Sequence, residues 1–347
     1  MKNILTILTI ILVVLFSACK KSVYLSEGDF FHLKNDGADM PVWVMGNPDS
    51  DVILITVHGG PGDSGLSFHV TPGFQLLEND YLMVYWDQRF SGMSQGHTDY
   101  STMNPEQFIE DLDKLVQLIE HKYPNKKLFM LGFSWGGQLS SGYLGINDNA
   151  SKFKGWISLD GAIFAEYEAQ LMREWILERV PEKLNDPDAD HEFWQFIVDW
   201  YETNPSPANY SDYEPYWYVS ALSGDVYDYD AYLETQTIPY GELILRSMFS
   251  MSYYVYGFAK KEDILEWDRI DNTEALGNIN IPSMMLWGAN DGVVPVPVAN
   301  YVYDHLATDS LYKEIVLIDK CGHGPQSERP EEFYDAMFNF IETYKNF

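Results

Sequence analysis

The sequence predicts an α/β fold: a doubly wound, mostly parallel sheet with an inserted helical cap. Three observations carry that expectation. Six short runs are apolar on both faces and bounded by Gly, Pro or Asp: "DVILITVHG" (51–59), "YLMVYWD" (81–87), "KLFMLG" (127–132), "GWISLDG" (155–161), "PSMMLWG" (282–288) and "EIVLID" (314–319). Such runs suit parallel strands covered on each side by helices. Helical patterns separate them, as a doubly wound sheet requires. The alternation then stops after Gly161 and resumes only at Ile281.

The clearest helix is "NPEQFIEDLDKLVQLIEHKYP". Asn104 can cap its start, Pro105 fits the first turn, and Phe108, Leu112, Leu115 and Ile119 make one apolar stripe before Pro124 stops it. The segment from Ala162 to Glu262 is different. It holds 22 Phe, Trp and Tyr in 101 residues, with 19 Asp or Glu against 6 Lys or Arg. It is expected to form the cap, set on the functional edge of the sheet. Within it, the prolines of "PSPANYSDYEPYWY" (205–218) predict a loop or hinge.

At 347 residues and 39.9 kDa, the chain is long enough for one large domain with an insertion. A hydrophobic fraction of 46% excludes general disorder. The net charge of −30 and pI near 4.4 exclude a nucleic-acid partner, since no basic stripe could neutralise phosphates.

The start of the chain, "MKNILTILTIILVVLFSACKK", places Lys2 before an apolar run from Ile4 to Phe16. That run is short for a membrane span, which needs about 20 apolar residues, and has the length of a signal-peptide core. Ser17-Ala18-Cys19 resembles a bacterial lipoprotein box, which implies lipidation at Cys19 and a membrane anchor in the cell envelope, facing the periplasm or exterior. A plain secretory signal with an incidental cysteine is the alternative. The expected organisation is therefore a signal over 1–18, core over 19–161, cap over 162–262 and core again over 263–347. Cys321 is the only other cysteine, expected as a small buried free thiol, and no metal site or cofactor is expected.

Gly132-Phe133-Ser134-Trp135-Gly136 matches G-x-S-x-G between a strand and a helix, the setting that exposes a nucleophilic serine at a sharp turn. Serine needs a base to take its proton, and "DKCGHGPQ" offers His323 on a loop after the last strand. Asp291, in "LWGANDGVVP", is the expected acid, with Asp160 as the alternative. The order Ser134, Asp291, His323 is the one this motif demands, and the intervals of 157 and 32 residues leave room for the cap. Two N–H groups must meet the developing oxyanion. Trp135 supplies the one after the nucleophile, and Gly60 in "VHGGPGDSG" (57–65) is the choice for the other. His58 is expected to brace that loop. The Trp135 side chain either lines the pocket or packs beneath it. His323 acts as a base only when neutral, so activity should fall on acidification.

Together, "HGGPG" (58–62), "DQRFSGMS" (87–94), "GFSWGG" (132–137), "GANDGVVP" (288–295) and "GHGP" (322–325) resemble the proline iminopeptidase family of α/β-hydrolases. Phe90 departs from that pattern, standing where the family usually has glycine. The resemblance implies an α/β-hydrolase fold, a Ser134–His323–Asp291 triad and a structural role for Asp87-Gln88-Arg89. It also implies a substrate with a free N-terminus, proline among the candidates, whose ammonium is bound by cap carboxylates. Glu166, Glu168, Glu174 and Glu242 are the candidates for that contact. A carboxylesterase acting on small acyl esters is the alternative, and a non-catalytic ligand-binding lipoprotein is a rival of another class. The expected partner is a small molecule or short peptide.

Overall fold

The computed structural model describes residues 28–207, 214–235 and 270–347. Nine strands form one sheet: β1 (Asp29–Asn35), β2 (Ala38–Gly46), β3 (Val52–Val57), β4 (Leu82–Trp86), β5 (Gln95–Gly96), β6 (Lys127–Phe133), β7 (Phe153–Leu159), β8 (Ser283–Gly288) and β9 (Lys313–Ile318). The order is β1-β2-β4-β3-β6-β7-β8-β9, with β5 paired to β2. From β4 to β9 the neighbours are parallel, while β1–β2 and β2–β4 are antiparallel. All six apolar runs are strands. The β1–β2 hairpin is an addition to the expected set. Its turn is Asp36-Gly37, both at positive φ (39° and 79°), the conformation that Asp-Gly favours between hairpin strands.

Alternation along each strand explains why the runs are apolar throughout. In β3, Ile53, Ile55 and Val57 enter one core while Val52 and Leu54 enter the other. The first core lies under α1 (Pro105–Lys122) and α2 (Trp135–Leu144). The Asn104 side chain accepts from Gln107 N–H at 2.9 Å, so the cap and stripe of α1 form as the sequence predicts. Its four apolar residues are almost wholly buried, each contributing about 1.5–3 kcal/mol. The second core lies under α8 (Pro330–Tyr344), through Phe333, Met337, Phe340 and Ile341.

Between β7 and β8 the described residues form α3 (Ala165–Asn185), α4 (His191–Thr203), α5 (Glu214–Ala221) and α6 (Tyr229–Thr235). Met172, Trp175, Ile176, Trp194, Ile197, Tyr201, Tyr218 and Val219 give α3, α4 and α5 a core of their own. The loop expected over 205–218 needs correction: its last five positions open α5, where Pro215 sits in the first turn and removes only a hydrogen bond that a helix start lacks anyway. A further helix, α7 (Pro297–His305), follows β8. Among the described residues no helix is long and apolar enough to cross a membrane. The expected signal segment, Cys19, Glu242 and the end of the cap at Glu262 lie outside the described residues.

Candidate active site

Parallel strands deliver their C-terminal ends to one edge, and the loops there carry the chemistry. Ser134 stands between β6 and α2 with φ 54° and ψ −125°. A non-glycine residue held in that region costs about 1–3 kcal/mol and persists only where its surroundings enforce it. The carbonyl of Ser134 accepts from Gly137 N–H at 2.7 Å and Ala162 N–H at 2.9 Å, and its own N–H donates to Leu159 O at 3.1 Å. The flanking glycines are required by contact. A Cβ on Gly136 would lie 2.0 Å from Val57 O, and one on Gly132 would lie 2.2 Å from Ser140 Oγ.

His323 and Asp291 are joined. The Nδ1–H of His323 donates to Asp291 Oδ2 at 2.8 Å, which leaves Nε2 as the basic nitrogen. Asp291 is wholly buried, and its Oδ1 accepts from Val293 N–H at 2.8 Å and Val294 N–H at 3.0 Å. The His323 ring packs against Phe133, the neighbour of Ser134, with centroids 5.1 Å apart. Asp291, not Asp160, holds the imidazole, although Asp160 lies close beside the pair.

The glycine loop reaches the same place. A Cβ on Gly59 would sit 3.1 Å from Ser134 Cβ, so this loop lies against the nucleophile, and Gly60 takes φ 111° at its exposed tip. His58 braces the loop as expected: it is buried, its Nδ1 bonds Gly59 O at 2.9 Å and its Nε2 accepts from Gln88 N–H at 3.1 Å. Gln88 ties both halves of the expected oxyanion site. Its side-chain N–H donates to His58 O at 3.0 Å, and its Oε1 accepts from Trp135 Nε1–H at 3.1 Å. The Trp135 ring is buried beneath the elbow, edge-on to Phe108. Asp87 folds the same turn by accepting from Ser64, Gly65 and Met93. Phe90 adopts φ 59°, so the turn keeps a glycine-like conformation with a phenylalanine in it, stacked on Tyr100 at 5.9 Å.

Of the three candidate anchors among the described residues, one is at the site. Glu168 is buried in the first turn of α3, where its Oε1 accepts from Phe164 N–H at 2.8 Å and from Ile163 N–H. Burial pushes its carboxyl up to about 7 against the two N–H groups and the opposing pull of His323. Glu166 and Glu174 are both exposed, and Glu174 accepts from Gln170 one turn away. Their positions on α3 turn them outward, since residues 166 and 168 differ by two and leave a helix on different faces.

Glu328 is a site residue that the sequence did not reveal. It is buried and accepts from Gly322 N–H at 2.9 Å and Tyr227 N–H at 2.7 Å, fixing the His323 loop. In "PQSERPEE" it is one acid among three and carries no signal of its own. Cys321 is buried and free, its thiol pushed far up by burial. The cap meets this edge through main chain: Asn290 Nδ2 donates to Ser223 O, Gly292 N–H to Gly224 O and His323 N–H to Asp225 O, at 2.8, 3.0 and 2.8 Å.

This sheet order, elbow and helical insertion are those of the α/β-hydrolase fold, and the chain has that fold. The serine aminopeptidase family S33 matches residues 48–191, which contain the glycine loop and the elbow. A proline iminopeptidase of Lactobacillus crispatus (strain ST1) is 24% identical over 323 residues, 87% of this chain and 94% of the relative. The crystal structure of a proline iminopeptidase-related protein from Thermus thermophilus superposes with a TM-score of 0.64 at 18% identity, over 92% of this chain and 98% of that one. An esterase from Rhodococcus sp. ECU1013 does so with a TM-score of 0.58 at 18% identity, over 92% and 99%.

Proposed function

We propose that this chain is a serine hydrolase that removes an N-terminal residue, proline among the candidates, from short peptides or aminoacyl amides. The observation that carries the reading is the Asp291–His323 hydrogen bond beside the strained Ser134 elbow. In this reading Ser134 Oγ attacks the carbonyl carbon and its proton passes to His323 Nε2. Asp291 holds the ring and offsets the imidazolium charge. The N–H groups of Gly60 and Trp135 receive the oxyanion. His323 then returns the proton to the leaving amine, and water, deprotonated by the same nitrogen, clears the acyl-enzyme.

Glu168 supports a substrate with a free amine, because a buried carboxylate near His323, once ionised above about pH 7, is a natural partner for an ammonium group. The test gives protein lacking residues 1–19 a proline aryl-amide, its N-blocked analogue and a short-chain aryl ester. Cleavage of the free-amine amide is expected to dominate. Glu168→Gln keeps an oxygen for the Ile163 and Phe164 N–H groups but removes the charge. It should raise KM for amine-bearing substrates by roughly tenfold or more, with the rise confined to them. In the unsubstituted enzyme the same KM should climb as pH falls through about 7, where Glu168 takes up a proton and loses its charge. Ester cleavage alone, with KM indifferent to Glu168, would establish the carboxylesterase reading, which the likeness to the Rhodococcus esterase also supports.

We further infer that Cys19 carries lipid and anchors the enzyme to a membrane of the cell envelope, a reading supported by the apolar run and the Ser17-Ala18-Cys19 box. Cells fed a clickable fatty acid should label the full chain and not a Cys19→Ala variant. Absence of label from both would leave the plain secretory signal, and equal labelling of both would place the lipid elsewhere than on Cys19.

A further inference from the structure

Two buried carboxyl groups meet behind His323, and the mechanism uses one of them. Asp160 is wholly buried at the end of β7, with φ 42°. Its N–H donates to Leu286 O at 3.0 Å and its Oδ1 accepts from Gly288 N–H at 2.9 Å, which fixes the side chain between β7 and β8. Its Oδ2 is buried without a hydrogen-bond partner. Polar atoms of Asp160, Asp291 and His323 lie within 4.8 Å of one another. Asp291 spends both of its oxygens as acceptors, from two backbone N–H groups and from His323. A carboxyl oxygen beside such an acceptor, with no protein donor to meet, is satisfied by carrying a hydrogen.

We propose that Asp160 is a positioning residue that holds a proton at neutral pH and presents it to Asp291, so that the pair carries one negative charge and not two. Close carboxylates in a dry site share a proton for the same reason wherever they occur. Desolvation first, then the charge of Asp291, drives the Asp160 carboxyl well above its ordinary value, and Glu328 adds to this. The other titratable groups around the pair are Cys321, held as a thiol, and Glu168, which faces His323 and Asp291 from α3. All the carboxylates act in one direction, against a second charge on Asp160. The consequence is felt at His323. A second full charge beside its ring would favour the imidazolium over the base; a proton on Asp160 limits the pull to one.

The proposal rests on Asp291 and His323 as the acid and base of the hydrolase, and its test separates the two. Labelling of Ser134 by a fluorophosphonate, followed against pH, reports the acid limb of His323 without reference to any substrate. Asp160→Asn preserves an acceptor for Gly288 N–H and a donor for Asp291, and asparagine tolerates positive φ. The midpoint of its acid limb should stay within about 0.3 pH unit of the unsubstituted enzyme's, whatever the effect on rate. Asp160→Ala, lacking the donor, concentrates charge on Asp291 and should move the midpoint upward. A downward shift of about one unit or more in Asp160→Asn would show that an ionised Asp160 had been removed, and would overturn the proposal. So would an alanine variant with the midpoint of the unsubstituted enzyme. Infrared difference spectra of the unsubstituted protein against Asp160→Asn need no activity and no alanine variant. A protonated-carboxyl stretch at neutral pH, lost in Asp160→Asn, is expected, and its absence would be decisive against the proton. Failure of Ser134 to label at any pH, with that band present, would sink the hydrolase reading alone.

Discussion

Ser134→Ala is expected to lower kcat by about 10⁴ to 10⁶ while leaving the fold in place, since triad members act as a unit and oxyanion binding accounts for what remains. The hydroxyl has no structural duty that the methyl group would betray. The elbow is held by the main chain of Ser134, through Leu159, Gly137 and Ala162, and by the room that Gly132 and Gly136 leave. Stability should therefore change by no more than about 0.5 kcal/mol. Melting curves, hydrolysis rates and fluorophosphonate labelling on one preparation would check all three points. Retention of more than about a hundredth of the activity in a well-folded variant would remove Ser134 as nucleophile, and with it the proposed mechanism.

Asp111→Ala should do the reverse, destabilising the fold with no direct injury to the chemistry. Asp111 and Arg89 are both wholly inaccessible, paired through Nη2 at 2.8 Å and through Nε, and Asn35 of β1 adds a donor at 2.8 Å. Burial pushes the Asp111 carboxyl up even with the guanidinium beside it, so desolvation consumes much of what the pair gains. Removing one partner is still severe, because the guanidinium is then buried without a counter-charge. The expected loss is about 3–5 kcal/mol, against a typical total of roughly 5–15 kcal/mol. A fall in Tm of roughly 10 °C should accompany it. The double variant Arg89→Met/Asp111→Leu should recover most of the loss. If it proved no more stable than Asp111→Ala, the damage would lie in cavity and shape and not in the orphaned charge.

What the sequence disclosed and withheld follows from how each feature is encoded. Five of the six runs lie inside the sheet and were legible because burial on both faces leaves an unbroken apolar stretch; β9 lies at the edge and is only partly buried. The edge strand β1, "DFFHLKN", is half exposed and mixes polar with apolar residues, so no unbroken run marks it. The elbow glycines, Ser134 and the glycine loop could be read because close approach admits few residue types. The pairing of His323 with Asp291 was anticipated by chain order. Carboxylates were harder. Glu166, Glu168 and Glu174 are chemically identical in sequence, and only the path of α3 separates a buried acid near His323 from two on the surface. Glu328 and the Asp160–Asp291 meeting arise from loops far apart in the chain, where no local pattern could announce them.

The three carbonyls by which the cap holds the catalytic edge, from Ser223, Gly224 and Asp225, have a consequence for how such an enzyme diversifies. A main-chain oxygen is present whatever side chain its residue bears, so the clasp imposes little on the composition of the lid. Constraint falls on Gly224, where a Cβ would come within 2.6 Å of the Trp175 ring. Outside its own packed core and Glu168, the lid can exchange side chains while the loops beneath keep their registration. New substrate ranges are thereby within evolutionary reach of an old catalytic edge.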